Sequence, residues 1–404
     1  MKRLIPLLAA LGIATSSHAR TWTSTSGSEI EAEFVRLEAE KVILKKKDGS
    51  ELPVELSLLS EADQAFVLKK KAGAKPKQAG KKLPRHVLFG QDREPTHPNY
   101  DDPWPEKAEK IGEIEIKAVK EDAENNEYIY HSPHFEFVSN VRLTLAIVKT
   151  FSKLFETTFE AMVHIPMSFD KARTPAPDHR YRILLFGDKI SYIQNGGPPN
   201  FGGVYMSKTD IVMVPLSSLG VERTGSKFVL KHGVANQILS HELVHQLMDG
   251  TYFKPGSRGW FTEGIAEYVS SSPYTYGRFT FRNNITTIRN SITKYDRRTQ
   301  TGSRLGKKIK VPPLKDFMLQ SYASFTANGH MNFNYAMGMA YTTFFIHMDD
   351  NGSRKNLNAF LKAMRKGKEG EELLKTLLAG RSWDELEAEI AAAWKKRGME
   401  IIFP

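Results

Sequence analysis

The stretch His241-Glu242-Leu243-Val244-His245, with Trp260-Phe261-Thr262-Glu263-Gly264-Ile265-Ala266-Glu267-Tyr268 after it, decides how the larger part of this chain is read. Ile238, Leu239, Leu243 and Leu247 give the first segment the apolar surface of a buried helix. That helix is expected over Val234 to Met248, stopped by Gly250. A helix turns about 100° per residue, so His241 and His245 project from one face, one turn apart. Two imidazoles so placed can grip one metal ion. Glu242 flanks that face, where a carboxylate can take the proton of an activated water rather than bind the metal. The third ligand is expected from a following helix: Glu263 stands eighteen positions after His245, leaving room for a loop over Gly250 to Gly259. Glu267, four residues later, shares the face of Glu263 and is placed to orient a ligand histidine from outside the ligand set. A catalytic zinc needs three protein ligands and one open position, so Zn2+ on His241, His245 and Glu263 is the expected cofactor.

These two segments, an H-E-x-x-H and a W-x-x-E-G-x-A-E-Y, resemble the gluzincin (peptidase MA-like) zinc metallopeptidases over roughly residues 130–400. The resemblance implies Glu263 as the third ligand and a later tyrosine or histidine that steadies a tetrahedral oxyanion. Tyr335-Ala336-Met337-Gly338 is similar to the Y-x-x-G stretch of gluzincin aminopeptidases, which puts Tyr335 in that role, with His330 and Tyr341 as rivals. A packing role for Tyr335 beside Phe333, Tyr341 and Phe344 is the plainer alternative. The aminopeptidase branch carries an upstream G-x-M-E-N segment whose glutamate binds a free amine. Here Gly202-Gly203-Val204-Tyr205 stand instead, with no glutamate nearby, so internal cleavage is expected rather than removal of N-terminal residues. Val204 to Val214 would offer an edge strand for an extended peptide. His131 and His134, flanking Pro133 with no partner cluster, are read as structural.

The rest of the chain sets the context. Lys2 and Arg3, the apolar run Leu4 to Ala14 and the small residues around Ser17-His18-Ala19 predict a signal peptide over residues 1–19 and a mature chain from Arg20. Export to a periplasmic or extracellular place follows. No later apolar run is long enough to span a membrane. There is no cysteine, so neither a disulfide framework nor a lipid-anchored N-terminal cysteine is available. Residues 20–70 read as short strands with an Asp48-Gly49 hairpin turn and a helix capped by Ser60. Arg20 to Thr23, Ile30 to Val35, Val42 to Gly49 and Leu59 to Gln64 resemble the SH3-like Sla-homology module, which implies a small β-barrel. Residues 71–84, rich in Lys, Gly, Ala and Pro, predict a flexible linker. Residues 85–404 are assigned to the zinc metallopeptidase domain, of which 85–125 show no periodicity that places them.

Strands precede helices in that domain, so the expected class is α+β: a small sheet, the active-site helix and a helical C-terminal part, behind a small SH3-like β-barrel. Net charge is +11, or +9 once Lys2 and Arg3 are removed. The lysines stand largely in runs such as Lys45-Lys46-Lys47, read as solvated surface able to meet an anionic envelope polymer. No nucleic-acid motif accompanies the charge, and none is expected as a partner. The expected activity is hydrolysis of peptide or protein substrates with Glu242 as general base. The alternative is a cell-envelope or matrix binding protein whose zinc site is structural or vestigial.

Overall fold

The computed structural model describes residues 19–404 apart from 26, 39–40, 61, 65, 68–97, 174, 177, 226, 232–236, 297–301 and 328. The expected linker, and all of the expected signal peptide but Ala19, lie outside these residues. The chain divides into two compact units, one N-terminal and joined by residues 193–200, the other holding the remainder.

In the N-terminal unit, β1 (Arg20–Thr23), β2 (Glu29–Glu38), β3 (Lys41–Lys46) and β4 (Glu51–Glu55) form an antiparallel meander in chain order. The Asp48-Gly49 turn joins β3 to β4: Gly49 adopts φ +83°, and Asp48 Oδ1 accepts from Ser50 N at 2.8 Å. Trp22, Val42, Leu44, Leu56 and Leu59 make the core, and Trp22 Nε1 donates to Ala32 O at 2.9 Å. Ser60 Oγ accepts from Asp63 N at 3.3 Å, the expected cap. The expected closed barrel is not found among the described residues. β4 has only five residues before a 3-10 turn at Leu56–Leu58, and the far edge is reached only by an isolated bridge between Ser24 and Leu59.

The larger unit is built on a six-stranded sheet. Its strands are β5 (Lys117–Asp122), β6 (Glu127–His131), β7 (Phe135–Ser139), β8 (Tyr181–Phe186), β9 (Val204–Met206) and β10 (Ile211–Pro215). They lie in the order β9-β10-β8-β7-β6-β5, with β10, β8 and β7 parallel and the outer pairs antiparallel. The helix α1 (Leu145–His164) crosses between the parallel strands β7 and β8. Its Phe151, Phe155 and Phe159 pack edge-on or tilted against Phe135, Phe137 and Tyr181. The helix begins at Leu145 because Thr144 caps it, its side chain accepting from Ile147 N, and Ser139 Oγ takes the amide of Val141.

Three helices carry the candidate site: α2 (Gln237–Leu247), α3 (Thr262–Ser271) and α4 (Met331–His347). Gln246 pins α2 to the sheet, its Nε2 donating to Arg182 O at 3.1 Å and to Asp210 O at 2.9 Å. The crossing of α3 and α4 is set by two glycines. A Cβ on Gly264 would sit 2.3 Å from Thr342 Oγ1 and 2.5 Å from Gly338 O, and one on Gly338 would sit 2.8 Å from Trp260 O. Backbone therefore meets backbone at this point. The C-terminal helices expected from the sequence are present as Lys355–Arg365, Gly370–Leu378 and Trp383–Lys395, so the unit is a mixed α+β fold with a helical C-terminal half.

The segment before β5, which no pattern placed, packs across the unit. Lys107–Glu109 pairs antiparallel with Arg278–Thr280, and Asn99 Oδ1 accepts from Ser168 N at 2.8 Å. Trp104 Nε1 donates to Tyr268 Oη at 3.0 Å, and Tyr268 Oη lies 2.8 Å from His347 Nε2. No helix among the described residues is long and apolar enough to cross a membrane.

Candidate metal centre

His241 and His245 stand on consecutive turns of α2, and Glu263 opens α3. All three are buried. His241 Nε2 and His245 Nε2 approach to 3.0 Å, and Glu263 Oε2 lies 3.1 Å from the first and 3.2 Å from the second. Among the described residues this is the group of three whose ligand atoms converge. Zinc bonds of about 2.0–2.1 Å in a tetrahedron hold ligand atoms about 3.3 Å apart, so the triangle fits such an ion with small adjustment. Two imidazole nitrogens and a carboxylate oxygen are a zinc donor set.

The electrostatics agree. Burial alone would raise the Glu263 carboxyl, yet the imidazoles, His245 foremost, hold it well below the ordinary carboxylate range. Burial likewise opposes charge on His241, but Glu263 and Glu267 carry its pKa well above that of a free imidazole. Glu267 Oε1 lies 3.1 Å from His241 Nδ1, somewhat out of line with the ring N–H axis. It meets the ring nitrogen opposite the converging one, the place from which a carboxylate fixes a ligand imidazole.

Glu242 is half-buried beside the triangle, and its Oε2 accepts from Tyr205 N at 2.7 Å. Tyr205 belongs to β9, which pairs with β10 on one side and is the edge of the sheet on the other. Its ring stacks on His245 at 6.4 Å, and its hydroxyl donates to Asp210 Oδ1 at 2.9 Å. Tyr335 lies parallel to His241, ring centroids 5.7 Å apart at 8°. Burial, then the nearby Glu263, pushes its phenol up, so it stays a proton donor.

The rivals of Tyr335 stand elsewhere. Tyr341 is wholly buried against Phe317 and Phe403, and His330 is exposed at the start of α4. His131 pairs with Glu136 and His134 with Glu156, away from the triangle, which is a structural use. One residue escaped the sequence reading altogether. Tyr322, in the short helix Tyr322–Phe325, donates its hydroxyl to Glu263 Oε1 at 2.8 Å. It belongs to no motif, and nothing in its flanking residues marks it.

Residues 13–74 match the family SLA1 homology domain 1 (SHD1), which is the region of the N-terminal meander. The match covers less than half of the chain and ends before the second unit begins. No curated protein matches the chain.

Proposed function

We propose that this chain is a zinc-dependent peptidase that cleaves internal peptide bonds. The observation that carries the reading is the convergence of His241, His245 and Glu263 at 3.0–3.2 Å with Glu242 held beside them by the edge of a sheet. The likeness of the two motifs to gluzincin peptidases points the same way. Zinc bound at the triangle would polarise the scissile carbonyl and acidify the attacking water. Glu242 takes the proton of that water and returns it to the leaving amine. Its Oε2 is committed to Tyr205 N, which leaves Oε1 for the transfer. Tyr335 donates its hydroxyl to the oxyanion that develops on the substrate. The open side of β9, apart from the Tyr205 N–H that Glu242 holds, offers backbone groups to an extended peptide. Gly202-Gly203, in place of an amine-binding glutamate, favours internal bonds.

The test is Glu242→Gln, assayed for zinc and for turnover of a peptide library. Full zinc content with a loss of about 10²- to 10⁴-fold in rate is expected, the usual contribution of a general base. Wild-type turnover in that variant would remove Glu242 from the chemistry. A zinc-loaded intact protein that cleaves nothing would favour the other reading, a binding protein of the cell envelope with a structural metal.

A further inference from the structure

The loop between α2 and α3 holds an arginine with no acid partner among the described residues. Arg258 makes no side-chain hydrogen bond or ion pair among the described residues, and its Nε is buried without a partner. Other partly buried arginines of this unit have partners: Arg182 pairs with Glu136, Arg365 with Asp170 and Arg381 with Asp349, while Arg354 and Arg289 donate to the carbonyls of Asp102 and Arg397. An unpaired guanidinium is costly to desolvate and is retained where something else completes it.

Arg258 is also held in place. Its Cζ lies 4.0 Å over the ring of Tyr322, the tyrosine that donates to Glu263. The loop is clamped on both sides of it. Gly256 adopts φ +85° with a Cβ position 2.7 Å from Gly370 N, and Gly259 adopts φ +90° with one 3.0 Å from Phe325 Cγ. Trp260 Nε1 closes the turn onto Gly256 O at 2.9 Å. Summing the ring stack, the phenol, its hydrogen bond and the carboxylate puts the guanidinium at most about 12 Å from the converging ligand atoms. An extended peptide advances about 3.3–3.6 Å per residue, so that reach spans at most about three residues from a bond being cut. Glu242, Glu263 and Glu267 together carry three negative charges against the two of a zinc ion. A substrate carboxylate would be repelled from such a site unless a further cation received it.

We propose that Arg258 selects substrates with a carboxylate within about three residues of the scissile bond, gripping it through paired N–H donors. The proposal rests on the peptidase reading for its substrate class. A free C-terminus and an acidic side chain present the same group, and the test separates them.

The experiment uses the zinc-loaded mature chain and N-acetylated pentapeptides in matched pairs. One pair ends in a free carboxylate or a carboxamide. The other pair is amidated and carries Glu or Gln beside the cut bond. Charge-assisted bidentate contacts predict a kcat/KM ratio, acid over neutral, of about 10- to 100-fold in at least one pair. Arg258→Gln should bring that ratio to about one, and Arg258→Lys should keep part of it. Equal losses on both members of each pair, or an unchanged ratio in Arg258→Gln, would overturn the assignment and leave Arg258 a packing residue. Calorimetric binding of the same peptides to Glu242→Gln separates the two claims. Preference for the acid there without turnover by the intact protein would refute the peptidase reading alone, whereas turnover without preference would refute the role of Arg258 alone.

Discussion

Replacing Tyr322 with Phe deletes one oxygen and one hydrogen bond, the 2.8 Å donation to Glu263 Oε1, and keeps the ring beneath Arg258. Glu263 is buried, with 1 % of its surface exposed, so water cannot replace the lost donor at no cost. A hydrogen bond to a charged group is worth about 1.5–3 kcal/mol. Part of that value belongs to holding the carboxylate with its other oxygen toward the two imidazoles. At about 1.4 kcal/mol for each factor of ten, zinc affinity should fall about 10- to 100-fold. The assay is competition for zinc against a chromogenic chelator at fixed pH. Tyr335→Phe is the comparison: that ring stacks on His241 without bonding to the ligand carboxylate, so zinc affinity should change by no more than about threefold. Turnover in that variant should fall by about 10²- to 10³-fold. An unchanged zinc affinity in Tyr322→Phe, or equal losses in the two variants, would refute the reasoning.

Three further outcomes are expected. Gly264→Ala should destabilise the protein by about 1–3 kcal/mol in chemical denaturation, because overpacking against Thr342 and Gly338 outweighs a helix-propensity gain of at most about 1 kcal/mol; a stabilised variant would show that the helices can part freely. His347, with burial, then Arg354 and Arg397, pushing its pKa down to about 4, resists the proton that the unfolded chain accepts near 6.5. Its contribution is complete above that value, and stability should decline as pH drops from about 6.5 toward 4, by up to about 1.4 kcal/mol per unit, a slope that His347→Gln should flatten. Mass spectrometry of protein recovered outside the cytoplasm should find Arg20 at the N-terminus, and retention of Met1 would count against export.

What the sequence made legible is what periodicity and spacing encode. The active-site helix ends at Leu247, one residue before the expected Met248, and the expected helical C-terminal part is present. His241, His245 and Glu263 meet because one turn of a helix and a short loop fix their separation locally. Tyr322 meets Glu263 across fifty-nine residues, and Trp104 meets Tyr268 across one hundred and sixty-four. Such contacts arise from how helices pack and leave no mark in neighbouring residues. The segment around Trp104 was opaque for the same reason: its order comes from side chains reaching separate partners, not from a repeating face. The closed barrel failed as an expectation because strand signals specify a meander equally well, and closure depends on a last strand long enough to return to the first.

The close crossing at Gly264 and Gly338 has a consequence for how this scaffold can change. The interval between the helix that carries Tyr335 and the helix that carries Glu263 is set where main chain touches main chain, not by the bulk of the side chains around it. Drift in core volume, one aliphatic residue traded for another, would be absorbed along the flanks of the two helices and would leave that interval alone. The spacing behaves as a fixed gauge with two pins. Tolerance to substitution should then be broad across the interior and nearly absent at these two positions, which hold no charge and touch no substrate.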